Sequence, residues 1–180
     1  MSRSLFEPLG MVDTSFSVPA AEQHRLGPMY TRFRVPIETV EDSPFLDPNR
    51  FQSGGGGLIS TAADYQHFAE MLMHEGEYNG QQVLSPESVR LMTTNQLPTG
   101  IADIEGDGFG FGFQVQTEGN RQSPPGEYTW DGVGSTHFWA SPDNELYVIA
   151  LAQYMPFVPV LKYSLRPKVY EALDIPLSNK

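Results

Sequence analysis

The stretch GFGFGFQVQ at 108–116 alternates Phe109, Phe111, Phe113 and Val115 against Gly110, Gly112, Gln114 and Gln116. A helix cannot use a period of two, because its side chains return to one face only every three or four positions. The alternation predicts a half-buried strand, and the glycines on its back predict close approach by another element. EYTWDGV (127–133), THFWAS (136–141) and ELYVIALAQ (145–153) are three more strand candidates, the last two joined by the turn Pro142-Asp143-Asn144. Strands in such quick succession suggest an antiparallel meander.

Helical signals lie on both sides. Before Gln52 the chain carries Pro8, Pro19, Pro28, Pro36, Pro44 and Pro48, which forbid a long helix or a central strand and predict a winding lead-in. From Thr61 to Gly76 the apolar residues Tyr65, Phe68, Ala69, Leu72 and Met73 recur at helical steps. Ser60 or Thr61 can cap that helix, Asp64 complements its positive end, and Gly76 supplies a left-handed stop. A shorter helix is predicted at LSPESVRLMTTN (84–95), with Ser85 as N-cap and Pro86 in the first turn. Near the end Leu161, Leu165, Val169 and Leu173 stand four apart, predicting a helix that Pro167 kinks or starts.

The fold class these signals describe is mixed α/β (α+β), an antiparallel sheet flanked by helices in a single region, 1–180. A chain of 180 residues can bury roughly 70% of its unfolded surface, enough for a core. The net charge of −11, with no clustered Lys or Arg, argues against nucleic acid as a partner. The longest apolar run, Leu146 to Ala152, is too short to span a bilayer, which needs roughly 20 residues. MSRSLFEPLG lacks the apolar segment of a secretory leader, so a cytoplasmic location is expected if Met1 is the native start. With no cysteine there is no disulfide or thiol chemistry.

Candidate chemistry is sparse. Gly54 to Gly57 precede a helix but lack the Gly-Lys-Ser/Thr of a phosphate loop, so a tight turn is the better account. His67 and His74 lie seven apart, not at the three- or four-residue spacing of helical metal ligands. Asp103, Glu105 and Asp107 form an acidic run without the glycine-containing calcium loop. Neither metal nor cofactor is expected. Ser135, His137 and Asp143 hold the residue types of a hydrolytic triad, but Ser135 lacks the Gly-x-Ser-x-Gly elbow. Trp130, Trp139 and Tyr128 read as core packing, or alternatively as an aromatic platform in a non-enzymatic binding module for a sugar or peptide.

The nine residues YTWDGVGST (128–136) carry the sharper signal. If Tyr128 to Val133 is a strand, Trp130 and Gly132 share a face, and the glycine clears an edge beside the ring where a substrate carbonyl can reach backbone amides. Taken with LFEPLGMVDTSFSVP, FQSGGGGLISTAADYQHFAEMLMHEGEYNGQQVLSPESVRLMTTNQLP and the final VYEAL, this stretch resembles the C-terminal portion of the serine β-lactamase-like esterases. Those enzymes are related to class C β-lactamases and D-alanyl-D-alanine carboxypeptidases.

The resemblance implies a site divided between this chain and a segment upstream. In the family a Ser-x-x-Lys serine is acylated, and Lys and a Tyr-x-Asn-like tyrosine move protons; neither pattern occurs here. The resemblance therefore implies no acyl-transfer turnover by this chain alone. What it does imply is the third family motif as Trp130-Asp131-Gly132, which would bind substrate, and Val133, whose backbone N–H would be an oxyanion donor. Trp130 stands where penicillin-recognising members carry a cation, and Asp131 where the esterases usually carry Gly, adding negative charge nearby. Both favour a small neutral ester over an anionic lactam. The strand at 145–153 would pair with the missing N-terminal half, or with a second copy, along an otherwise exposed edge.

Overall fold

The computed structural model describes residues 1–31, 33–101, 107–117 and 123–177. As the prolines require, the elements among the described residues of the lead-in are all short, including α1 (Glu7–Leu9), 3₁₀ turns at Ala20–Arg25 and Pro44–Leu46, and the hairpin of β1 (Met29–Tyr30) with β2 (Pro36–Glu38). The long helix is α2 (Ala62–Met73). Thr61, not Ser60, caps it, accepting from the Asp64 N–H at 3.2 Å. Asp64 does more than complement the helix end. Buried, it accepts from the Asp13 N–H at 2.7 Å and the Thr14 hydroxyl at 2.8 Å, tying the lead-in to α2. Gly76, at φ +92°, ends the turn and donates to the Met71 carbonyl.

After the small hairpin of β3 (Glu77–Tyr78) and β4 (Gln81–Gln82) comes α3 (Pro86–Thr93), where Ser85 accepts from the Ser88 N–H. The main sheet is a five-stranded antiparallel meander in chain order: β5 (Gly108–Phe109), β6 (Gln114–Val115), β7 (Tyr128–Asp131), β8 (His137–Ser141) and β9 (Leu146–Ala150). A short 3₁₀ turn at Pro142–Asn144 joins the last two strands.

Two expectations need correcting. GFGFGFQVQ is not one strand but the hairpin of β5 with β6: the Gly110 N–H donates to the Phe113 carbonyl, and Gly112 takes φ +104°, a conformation only glycine adopts freely. Phe111 therefore points into solvent while Phe113 enters the core. The close approach is real, though. Gly110 lies against the Met92 carbonyl and Gly108 against Asn95, with no room for a side chain at either.

The second correction concerns the last helix. A π-helical turn, Leu161–Leu165, runs into α4 (Arg166–Ala172), with Pro167 in the first turn where its missing N–H is tolerated. Its buried stripe is Lys162, Arg166 and Tyr170, while Leu173 is exposed and Leu161, Leu165 and Val169 are half-buried. Matching chemistry explains the choice, because the sheet face beneath α4 is polar.

Cross-strand partners share a face. Val115, Tyr128, Phe138 and Ala140 join Phe6, Leu9, Met11, Ala69, Leu72 and Val89 in the apolar core under α2. The opposite face carries Gln114, Thr129, His137 and Trp139, all buried.

Gly110→Ala is expected to destabilise the fold by about 1–3 kcal/mol, because the added methyl must displace backbone. Gly54→Ala, where nothing lies within 4 Å, should change stability by less than about 0.5 kcal/mol. Urea midpoints of the two variants check the contrast.

Candidate active-site edge

β6 pairs only with Tyr128 and Thr129 of β7, so Trp130 and Asp131 are paired on the β8 side alone, with Phe138 and His137. Among the described residues, the other edge of β7 is open from Trp130 onward. Trp130 is half exposed, and its ring meets Phe109 edge to face at 5.4 Å between centroids. The strand stops at Asp131, short of the span to Val133 expected from sequence.

A tight turn follows. The Gly132 N–H donates to the Thr136 carbonyl at 3.0 Å, and the Ser135 N–H donates back to the Gly132 carbonyl at 2.9 Å. Gly132 is crowded rather than clearing: a Cβ there would run into the Thr136 hydroxyl. Between these bonded residues Val133 is exposed, and among the described residues its N–H has no hydrogen-bond partner. An unbonded amide at the end of an open strand edge is a donor that a substrate oxygen can use.

Asp131 lies on the other side of the sheet. Because successive residues of a strand point oppositely, its carboxylate leaves Trp130 and bonds His137 Nδ1 at 2.7 Å. The expected negative charge beside the pocket is thus turned to the far face. His137 Nε2 lies 3.4 Å from Arg166 Nη2, a pattern that puts the imidazole proton on Nδ1 and leaves Nε2 as acceptor. Burial holds this imidazole below its ordinary pKa against the opposing pull of Asp131, so it stays neutral near pH 7.

The network continues beneath α4. Arg166 lies 2.9 Å from Glu127 Oε1 and donates to Ser123; Ser123 donates to Gln116; Gln116 donates to Asp107 at 2.9 Å. Lys162 donates to Gln114 at 2.9 Å, and Tyr170 donates to Glu127. Burial pushes the Glu127 carboxyl up to about 7, outweighing the attraction of Arg166 and the hydrogen bond from Tyr170. Sequence reading missed this cluster. Its signals were the four-residue spacing of Lys162, Arg166 and Tyr170 and the paired glutamines 114 and 116.

The other sequence candidates scatter. Ser135 gives its hydroxyl proton to the Tyr154 carbonyl, His137 faces Asp131, and Asp143 lies beyond the far end of β8, so no triad forms. Tyr128 and Trp139 are buried on opposite faces of the sheet, so with Trp130 they form no common platform. Asp103 and Glu105 lie outside the described residues. Among the described residues no group of metal-ligating side chains comes together, and no helix is long and apolar enough to cross a membrane.

A family model described as Beta-lactamase matches residues 1–166. "Protein Rv1367c" and "Uncharacterized protein MT1414", from two strains of Mycobacterium tuberculosis, are each 37% identical over 172 residues, covering 85% of this chain and 42% of the relative. The fold is that of a LovD6 mutant of simvastatin synthase from Aspergillus terreus (TM-score 0.78, 19% identity, 96% of this chain and 50% of that one). It is also that of EstCE1, described as a hydrolase with promiscuous acyltransferase activity (TM-score 0.73, 23% identity, 94% and 49%). The chain thus spans less than half the length of these curated relatives and about half of these structures.

The buried carboxyl generates a pH prediction. With its pKa raised from 4.5 to about 7, Glu127 binds a proton in the fold that the unfolded chain has released. Its contribution is fully present below about 4.5 and is lost as pH rises through about 7. Glu127→Gln removes that dependence, so urea midpoints should move in favour of the variant, relative to wild type, between about pH 5 and pH 8.

Proposed function

The chain belongs to the Beta-lactamase family, and we propose that it is the later half of a serine acyl-ester hydrolase whose nucleophile and base come from a segment outside this sequence. The observation that carries the reading is the Val133 N–H, exposed and unbonded at the end of the open β7 edge. A serine from the other half attacks the ester carbonyl, and the oxygen that becomes anionic is held by this amide. Losing one such donor costs roughly 3 kcal/mol of barrier where it has been measured.

Trp130 shapes the substrate class. Half exposed against Phe109, it offers an apolar wall where a lactam-recognising enzyme needs a cation for the substrate carboxylate. Neutral esters suit such a wall. That EstCE1 is a hydrolase with promiscuous acyltransferase activity supports acyl transfer as the reaction class.

The other half has a place to join. β9 pairs with β8 on one side, and among the described residues no strand lies on its other side; all five of its residues are only half-buried. An edge of Leu-Tyr-Val-Ile-Ala left open favours pairing with another chain. We assign it to the segment that carries Ser-x-x-Lys, with a second copy as the competing occupant. The binding-module reading loses its support once Tyr128 and Trp139 are found buried on opposite faces.

The purified chain alone is expected to show no saturable hydrolysis of a nitrophenyl ester, and no mass adduct with a reactive phosphonate ester. Adding a family polypeptide that carries Ser-x-x-Lys and Tyr-x-Asn should restore both. A stoichiometric adduct on the chain alone, lost in Ser135→Ala, would make Ser135 the nucleophile and overturn the reading.

A further inference from the structure

We propose that Ser135 is a positioning residue for the oxyanion-binding amide, an inference that rests on the role given to Val133 above. Ser135 is buried at 4% exposure and takes φ +62°, the left-handed region that favours glycine. A serine held there is strained and persists only where surrounding structure over-determines it. Its side chain supplies that determination. The hydroxyl donates to the Tyr154 carbonyl at 3.0 Å and accepts from the Val158 N–H at 3.1 Å, so both its donor and an acceptor site are committed.

These bonds fasten the turn to the segment that follows β9. Gly134 joins in, its carbonyl accepting from the Tyr154 N–H at 3.1 Å. Gly132 is held on the other side by Thr136 and by the Ser135 N–H. Val133 is thereby framed by bonded residues, and the direction of its N–H follows from the peptide planes they hold. The segment at 153–155 is itself braced by β1, since the Tyr30 N–H donates to the Gln153 carbonyl and the Met155 N–H donates to the Tyr30 carbonyl.

Without the hydroxyl, the Tyr154 carbonyl and the Val158 N–H lose a shared partner in a nearly closed space, and the turn is free to repack. A misplacement of about 1 Å can cost about 100-fold in rate. Because the amide acts chiefly on charge that develops in the transition state, the loss falls on kcat and not on KM. Ser135 touches no reacting atom in this scheme; it acts through Val133.

Two variants test the role. Ser135→Ala removes the hydroxyl and keeps the left-handed strain, whereas Ser135→Gly removes both. In this chain as it stands, hydrogen exchange followed by NMR should speed up about 10-fold or more at the amides of Ser135, Tyr154 and Val158 in both variants, with the β8 ladder unchanged. Unchanged exchange at those three amides overturns the proposal. In the enzyme reconstituted with the Ser-x-x-Lys half, both variants should lose about 10- to 100-fold in kcat with KM within about 3-fold, and should react with the phosphonate correspondingly slowly. If Ser135→Gly keeps full kcat, the hydroxyl positions nothing. Val133→Pro, which deletes the N–H, separates the two readings. Full kcat in that variant sinks the oxyanion assignment itself, while lost kcat there beside unaffected Ser135 variants sinks only the positioning role.

Discussion

The structure depends on β8, whose five residues are all buried and which is paired along both edges, to β7 and to β9. A central strand of this kind allows no slip, since a shift by one residue would exchange Phe138 and Ala140 with His137 and Trp139. One face would then bring an imidazole into the apolar core under α2. The other would leave Arg166 and Asp131 without the ring that links them. The register of β8 sets that of β7, and the end of β7 decides where the open edge and the Val133 amide lie.

The two faces of the sheet are held by different physics. Under α2 the contacts are apolar and aromatic, with Tyr128, Phe113 and Phe138 meeting at tilted angles. Under α4 the sheet meets buried charge. Glu127, Arg166, Lys162 and Asp107 are each almost fully withdrawn from water. Burying ions is costly unless partners replace the lost hydration, so these contacts largely offset that cost rather than add net stability. The chain from Glu127 through Arg166 and His137 ends on Asp131, one residue from the turn that bears Val133.

Another consequence is exposed apolar surface. Val12, Phe33, Phe51 and Val160 are well exposed, and β9 has a free edge among the described residues. Scattered apolar exposure is ordinary, but a half-buried apolar strand with one side of its ladder unused is a liability that natural sheets normally cover. A chain spanning 42% of its curated relatives and about half of its structural neighbours fits that picture. In the proposed reading the site would be divided in the same way, with the Val133 amide and the Trp130 wall on this chain and the nucleophile on the other half.

Helix boundaries were legible because capping is local: Thr61, Ser85 and Gly76 act on groups within a few residues of themselves. The pairing of β7, β8 and β9 was legible too, since the short turns between them leave neighbouring strands little choice but to pair. Trp130-Asp131-Gly132 was singled out only through the family resemblance, since neither composition nor spacing marks it out. Which face each residue would use was another matter. GFGFGFQVQ satisfied a strand's period, yet folded as a hairpin, with Gly112 at φ +104° and the Met92 carbonyl closed against Gly110. The last helix offered a leucine stripe and a Lys-Arg-Tyr stripe, and the polar sheet face selected the second. Asp131 joined His137 because strand alternation placed it there. Sequence by itself determined the elements and their order, through interactions spanning a few residues. Tertiary structure alone decided which side chains each element buries, because burial depends on partners brought together from far along the chain.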